Sequence, residues 1–229
     1  MQMRVSVVIP TLDEADRIGS AIVALHAAGF EEIIISDGAS TDGTESVARA
    51  AGAVVVDAPR GRGKQLQHGA AAATGDLLFF LHADSSPPEG ARAMIAETLS
   101  APGAVAGCFT LAFDRTHPLL SFYSVMSRIN HNLFTYGDQG LFMARAAFDR
   151  IGGYSDAPLF EDVDIVRRAR RAGRFVKRPE AVITSARRFA RDGPALRELT
   201  NVGLVVAYHA GVSPERLANW YRAERKFRE

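Results

Sequence analysis

Leu77-Leu-Phe-Phe-Leu-His-Ala-Asp-Ser85 is an apolar run of strand length that ends abruptly in an acidic residue, and Pro87-Pro88 halts regular structure soon after. An unbroken run of about five apolar residues bounded by a turn predicts a strand buried on both faces, as in the middle of a parallel sheet. Ligands of open α/β sheets bind beyond the carboxyl ends of the strands. His82 and Asp84 therefore emerge where a metal or a ligand hydroxyl would be held. The other reading of Asp84 is as a cap on a helix expected to begin near Glu89.

Upstream of this strand the chain alternates. Val5 to Ile9 reads as a buried strand ended by Pro10-Thr11, followed by a helix opened by Asp13-Glu14-Ala15-Asp16 and running to about Ala28. Acids in that first turn suit the positive end of the helix dipole. Glu32 to Ser36 is a second strand, Asp37 to Thr44 a loop dense in turn and capping residues, Glu45 to Ala51 a helix, and Ala53 to Asp57 a third strand. The basic loop Arg60-Gly-Arg-Gly-Lys64 leads into an alanine-rich helix through Ala73. Strand and helix in turn, with short connections, predict right-handed crossovers and a mostly parallel central sheet flanked by helices.

Downstream the pattern is less regular. Expected are a helix over Glu89 to Ser100, a strand over Ala104 to Phe113, an amphipathic helix over Leu119 to Phe134 and a short strand over Leu141 to Ala144. A helix then ends at Gly152-Gly153, and Glu161-Asp162-Val163-Asp164 opens another whose later residues are basic. Two strands near Arg174 to Lys177 and Val182 to Ser185, and helices over Pro194 to His209 and from Pro214 onward, complete the chain.

With 229 residues, 47% hydrophobic and 23% charged, the chain is sized for a single domain. Residues up to about 100 form one half, about 101–190 a second, and 191–229 C-terminal helices. A formal charge of +1 gives no general attraction for nucleic acid. The lone Cys108 excludes an internal disulfide and a multi-cysteine zinc site. No apolar run reaches the roughly 18 residues of a transmembrane span, and none resembles a signal peptide, so a cytoplasmic protein is expected. His117, His131 and His209 lack paired metal spacing and read as structural.

Acidic loops follow the first, second and fourth strands, and the basic loop follows the third. Converging on one rim, they would set acids for hydroxyls, bases or a metal beside cations for phosphates, which suits a nucleotide ligand. Neither a dinucleotide fingerprint nor a phosphate-loop motif is present, which argues against a nicotinamide dehydrogenase or a phosphate-loop ATPase. Arg60, Arg62 and Lys64 are the candidates for a diphosphate.

The order of motifs, Val-Val-Ile-Pro-Thr-Leu-Asp-Glu at Val7 to Glu14, Ile-Ser-Asp-Gly-Ala-Ser-Thr-Asp-Gly-Thr at Ile35 to Thr44, Leu-His-Ala-Asp ending at Asp84, then Glu161-Asp162, resembles glycosyltransferase family 2. It is most similar to the small bacterial selenodomain-associated transferases of that family. The resemblance implies the nucleotide-sugar-binding GT-A fold and inverting transfer from a nucleoside-diphosphate sugar, by suggestion a UDP-sugar, to a hydroxyl acceptor of unknown identity. It implies that Pro10, Thr11 and Glu14 line the nucleotide pocket and that Asp37 accepts a hydrogen bond from the base. Asp84 matches the last position of the metal-binding Asp-x-Asp motif for Mn2+ or Mg2+, Asp162 the catalytic base. Asp138 and Gln139 fall where the family approaches acceptor and donor sugar, and Arg188, with Arg187, where larger relatives meet the leaving diphosphate.

Transfer leaves a doubly phosphorylated anion, which a divalent cation stabilises, and the attacking hydroxyl must lose a proton to a carboxylate. Asp162 is the expected base, with Glu161 its competitor. His82 departs from the motif, standing where the first acid is usual, and remains a possible ligand. The alternatives are a nucleotidyltransferase, which would carry a glycine-rich basic loop after the first strand where this chain has Asp13-Glu14, and a non-catalytic nucleotide-sugar-binding protein. A soluble or small-molecule acceptor is expected, and the C-terminal helix with Leu217, Trp220, Tyr221 and Phe227 could pack on a second subunit in a homodimer as readily as on its own core.

Overall fold

A computed structural model describes residues 3–187, 203–208 and 210–226. Arg188, His209, Phe227 and most of the expected helix over Pro194 to His209 lie outside these residues.

The first half forms as the alternation predicts: β1 (Val5–Thr11), α1 (Ala15–Ala27), β2 (Glu32–Asp37), α2 (Thr44–Ala50), β3 (Val54–Asp57), α3 (Arg62–Ala72) and β4 (Leu77–Phe80). The chain continues through β5 (Ser85–Ser86), α4 (Ala91–Ser100), β6 (Ala104–Phe113), α5 (Pro118–Met126), β7 (Leu141–Ala144), α6 (Arg145–Arg150), α7 (Glu161–Ala172), β8 (Arg174–Thr184) and α8 (Pro214–Lys226). All belong to one sheet of order β3-β2-β1-β4-β7-β6-β8-β5 with helices on both faces. The β3-β2-β1-β4 block is parallel, β7 runs antiparallel to both β4 and β6, and β8 is parallel to β6.

Each strand of the parallel block feeds two cores, because successive side chains point to opposite faces. Val5, Val7, Ile9, Leu77 and Phe79 pack under α1, α2 and α4. Val8, Ile34, Leu78 and Phe80 pack under α3, α6 and α7. All four β4 residues are buried, as expected of a strand covered on both sides.

Three expectations are corrected. The helix placed over Leu119 to Phe134 stops at Met126, and a 3-10 turn occupies Asn132–Phe134. Its end is fixed from elsewhere: Lys177 Nζ donates to the carbonyls of Ser127, Ile129 and Phe134 at 2.7, 3.0 and 2.9 Å, claiming groups a longer helix would need. The two strands expected around Pro179 are one strand, β8. Proline lacks an N–H, and the ladder accommodates it by a register shift, across which the Thr110 hydroxyl lies 3.0 Å from both the Pro179 and Glu180 carbonyls. Asp84 caps no helix, since α4 begins at Ala91 behind a left-handed Gly90.

Candidate active site

The register of the parallel block sets Thr11, Asp37 and Asp57 side by side at the carboxyl ends of β1, β2 and β3. Asp37 is only 1% exposed. Its carboxylate accepts from the Thr11 hydroxyl at 2.8 Å, the Ser40 hydroxyl at 2.6 Å and the Ser40 amide at 2.7 Å. Three donors leave about one acceptor position for a ligand. The loops after β1 and β2 interlock further. Asp13 accepts from the Thr41 amide at 2.8 Å and donates its own amide to Ser40 Oγ at 2.9 Å. Asp42 accepts from the first amides of both α1 and α2, Ala15 and Thr44, each at 3.0 Å. The Thr44 hydroxyl, its strongest partner, holds the Asp42 carboxyl below the usual range.

Sequence reasoning did not single out Gln65, which is buried beneath these loops and donates to the Thr11 and Ser36 carbonyls at 2.7 and 3.0 Å. Its place directly after the Arg60 to Lys64 loop was the available signal. Arg60 donates to the Gly38 carbonyl at 3.1 Å, joining the third loop to the second. Lys64 pairs with Asp156 at 3.8 Å.

A second group gathers across the sheet. The Asp162 carboxylate accepts from the Gly137 amide and from the Val163 amide, both at 2.8 Å. Gly137 admits this approach: a Cβ there would sit 3.2 Å from Asp162 Cβ and 3.6 Å from His82 Nε2, so His82 borders the same spot. Glu161, 6% exposed, pairs with Arg62 at 3.5 Å. Burial and then the Asp162 charge push its carboxyl up, against Arg62. α3 comes close enough for this pairing because Gly63 lacks a side chain, a Cβ there lying 2.8 Å from the Ser155 carbonyl and 3.1 Å from Glu161 Cβ. Burial alone would lower the Arg62 guanidinium, but Glu161, Asp162 and Asp138 raise it overall.

Asp138 lies beside them on a 3-10 turn, Gly137–Gln139. Its Oδ1 is enclosed without a hydrogen-bond partner among the described residues. Burial first and the Asp162 charge second push its carboxyl up to about 7. Gln139 turns the other way, at 1% exposure, donating to the Phe134 carbonyl at 2.9 Å and facing the Cys108 thiol at 3.6 Å, so it braces the loop. Asp162 itself follows Phe160, a non-glycine residue at φ 63° whose ring stacks on Tyr208 with centroids 4.8 Å apart.

Asp84 lines a cleft of about 300 Å³ with Arg17, Ser20, Ser85, Ser185 and Arg187, and its charge also acts on Asp138. Over its edge Glu14 pairs with Arg17 at 3.3 Å and Arg187 at 3.7 Å. Sequence reasoning overlooked Arg17, which sits one helical turn after Glu14. His117 and His131 each accept through Nδ1 from an amide two residues on, at 3.3 Å, and so cap α5 and the 3-10 turn that follows. Arg188 lies outside the described residues.

Residues 6–150 match the model of glycosyl transferase family 2. The glucosyl-3-phosphoglycerate synthase of Mycolicibacterium paratuberculosis is 35% identical over 131 residues, 52% of this chain and 37% of that protein. The match thus spans about a third of the length of the curated relatives, 37% and 32%. Among solved structures, the mannosyltransferase PcManGT from Pyrobaculum calidifontis, in complex with GDP-Man and Mn2+, superposes with a TM-score of 0.65 at 22% identity, covering 98% of this chain and 69% of that one. The glucosyl-3-phosphoglycerate synthase from Mycobacterium tuberculosis, in complex with Mn2+, UDP-glucose and phosphoglyceric acid, gives 0.61 at 19% identity, covering 90% and 78%. At these identities the structural likeness speaks for the fold, the GT-A fold of nucleotide-sugar transferases. The family match covers well over half of the chain: it belongs to glycosyl transferase family 2.

Proposed function

We propose that the chain is an inverting glycosyltransferase that moves a sugar from a nucleoside-diphosphate sugar to a hydroxyl acceptor, with Asp162 as base. The observation that carries this reading is the cluster of Asp162, Glu161, Asp138 and Arg62 at one rim of the sheet. Each Asp162 oxygen accepts one backbone amide and keeps a second acceptor position, so the side chain is held in place and remains able to take a proton from an attacking hydroxyl. Glu161 is less suited, being buried and turned to Arg62. One positioned base suffices for inversion. Asp138 offers the acceptor or donor sugar a carboxyl whose enclosed oxygen has no hydrogen-bond partner among the described residues.

Pro10, Thr11, Glu14 and Asp37 surround the nucleotide in this reading, and Arg60, Arg62 and Lys64 meet its phosphates. The nucleotide sugars of the similar solved structures, UDP-glucose and GDP-Man, support a donor of this class. A UDP-sugar is the first to try.

The residues present fit a divalent cation. Among the described residues no three His, Cys, Asp or Glu side chains form a ready ligand set, but Mg2+ and Mn2+ in phosphate chemistry take only one or two protein ligands and fill the rest from substrate and water. Asp84 and His82 would hold it, a carboxylate and an imidazole being donors manganese accepts. Bound there, it supplies charge stabilisation to the departing diphosphate.

Calorimetric titration of UDP and GDP, with and without manganese, on the native protein and Asp84→Ala tests the reading. Binding strengthened by manganese and lost in the variant is expected. No binding of either nucleotide under any condition would reduce the family relation to fold alone.

A further inference from the structure

α5 has two unlike faces. Its inner side is fixed: Leu120 is buried, the buried Ser127 hydroxyl accepts the Leu111 amide at 2.9 Å, and Lys177 holds the carbonyls beyond the helix end. Its outer side is apolar. Phe122, Val125 and Ile129 are 56%, 50% and 41% exposed, at a spacing of three and then four residues that aligns them along one edge. The winding is carried to Ile129 by bonds from the Arg128 amide to the Val125 carbonyl and from the Ile129 amide to the Met126 carbonyl, 3.1 and 3.0 Å. Other exposed large apolar residues, such as Leu12, Val23, Val54 and Ile183, are dispersed over α1, β3, β8 and a loop.

The charge around this edge is one-sided. From Arg115 to Tyr136 there is no acidic residue, in a chain whose acids and bases otherwise nearly balance. Arg115, His117, Arg128 and His131 are all exposed there. The nearest preceding acid, Asp114, is engaged by the Ser185 hydroxyl and the Ala186 amide at 3.1 and 2.8 Å. Three apolar side chains along α5 and the turn after it, in a stretch whose charged side chains are all basic, match an anionic lipid surface, where apolar groups enter the acyl boundary and cations meet headgroup phosphates. A protein partner would need acids opposite these cations; a second copy would set cation against cation.

We propose that the α5 edge, Phe122, Val125 and Ile129 with Arg115 and Arg128, docks the protein reversibly on anionic lipid. The surface stands independently of the catalytic reading. If that reading holds, the Asp138 turn begins eight residues after Ile129, so docking presents the acceptor side of the site to the membrane and makes a lipid-borne acceptor accessible.

Flotation of the full chain with vesicles of phosphatidylcholine alone, or of equal parts phosphatidylcholine and phosphatidylglycerol, tests this. Binding only to the anionic vesicles is expected, falling with added salt. Phe122→Ser with Val125→Ser should lower the partition coefficient at least tenfold and Arg128→Ala about fivefold, both with unchanged melting temperature. Absence of vesicle binding, or binding that these exposed substitutions leave unchanged, overturns the proposal. So does sedimentation velocity showing a native dimer that the double variant makes monomeric, since a second copy then covers the edge. UDP and GDP titrations on the same samples separate the two readings: vesicle binding without nucleotide binding supports the docking surface and removes the transferase reading.

Discussion

On the β1–β3 side of the site, the loops are tied by short polar side chains to backbone a few residues away or on the neighbouring loop: Asp37 to Ser40, Asp13 to Thr41, Asp42 to Thr44 and Ala15. On the β6–β8 side, long cations reach carbonyls and side chains some 35 to 50 residues distant. Lys177 gathers three carbonyls after α5, and Arg170 reaches Asn130 at 2.6 Å while its guanidinium lies 4.3 Å from the Phe175 ring centroid. Short side chains close to their partners lose little conformational freedom on ordering, whereas buried long cations lose more and must be desolvated. Burial accordingly lowers the ammonium of Lys177 from its ordinary range. The β1–β3 side is thus held mainly by its own loops with Gln65 beneath them, and the β6–β8 side by a few distant anchors.

The largest expected effect tests the Asp162 cluster directly. Asp162→Asn should lower the turnover rate about a thousandfold, the usual contribution of a positioned base, while nucleotide affinity measured by calorimetry stays within about twofold, a change near 0.4 kcal/mol. Equal loss of both would mean that Asp162 belongs to the nucleotide pocket, dissolving the division. Next, Lys177→Met strands three carbonyls and should cost about 3 kcal/mol in urea unfolding. Its nucleotide affinity should be unchanged, because none of the three carbonyls belongs to the β1–β3 loops. Gln65→Ala removes two buried bonds under those loops, costing about 2 kcal/mol by the same measurement; here nucleotide affinity should fall as well.

A smaller effect sharpens the contrast through pH. The Asp138 carboxyl is raised from an ordinary 3.8 to about 7, so the native chain keeps a proton that the unfolded chain has lost in between. Stability from this group therefore falls as pH rises through that window. Asp138→Asn should flatten the corresponding decline in melting temperature. Last, Glu97→Ala breaks a pair with Arg178 in which the glutamate is 72% exposed, and should change stability by less than about 0.5 kcal/mol.

The same contrast explains what was legible from sequence. The apolar strands and the turn residues between them lie close together along the chain, so β1 to β4 and their helices could be placed from local pattern, β4 most securely. Glu161-Asp162 was visible as an acidic helix start. Hidden from local pattern were the features set at long range: the end of α5, decided by a lysine 50 residues away, and the continuity of β8 through Pro179, decided by its ladder with β6. Gln139 read as a site residue because Asp138-Gln139-Gly140 falls where the resembling family approaches acceptor and donor sugar. Only the packed chain reveals that the Gln139 side chain turns inward. Conversely Gln65 and Arg17 carry no motif, and their part emerges once loops far apart in sequence meet.

Phe160 links the start of α7 to residues 203–208. Its left-handed backbone costs roughly 1 kcal/mol for a bulky residue, and the described contact that opposes relaxation is its ring on Tyr208. Asp162 is two residues further on. Residues 203–208 are thereby joined, through the Phe160–Tyr208 ring contact, to the turn that opens α7. Tyr208→Ala should then be read out as lost turnover well before it registers as lost fold.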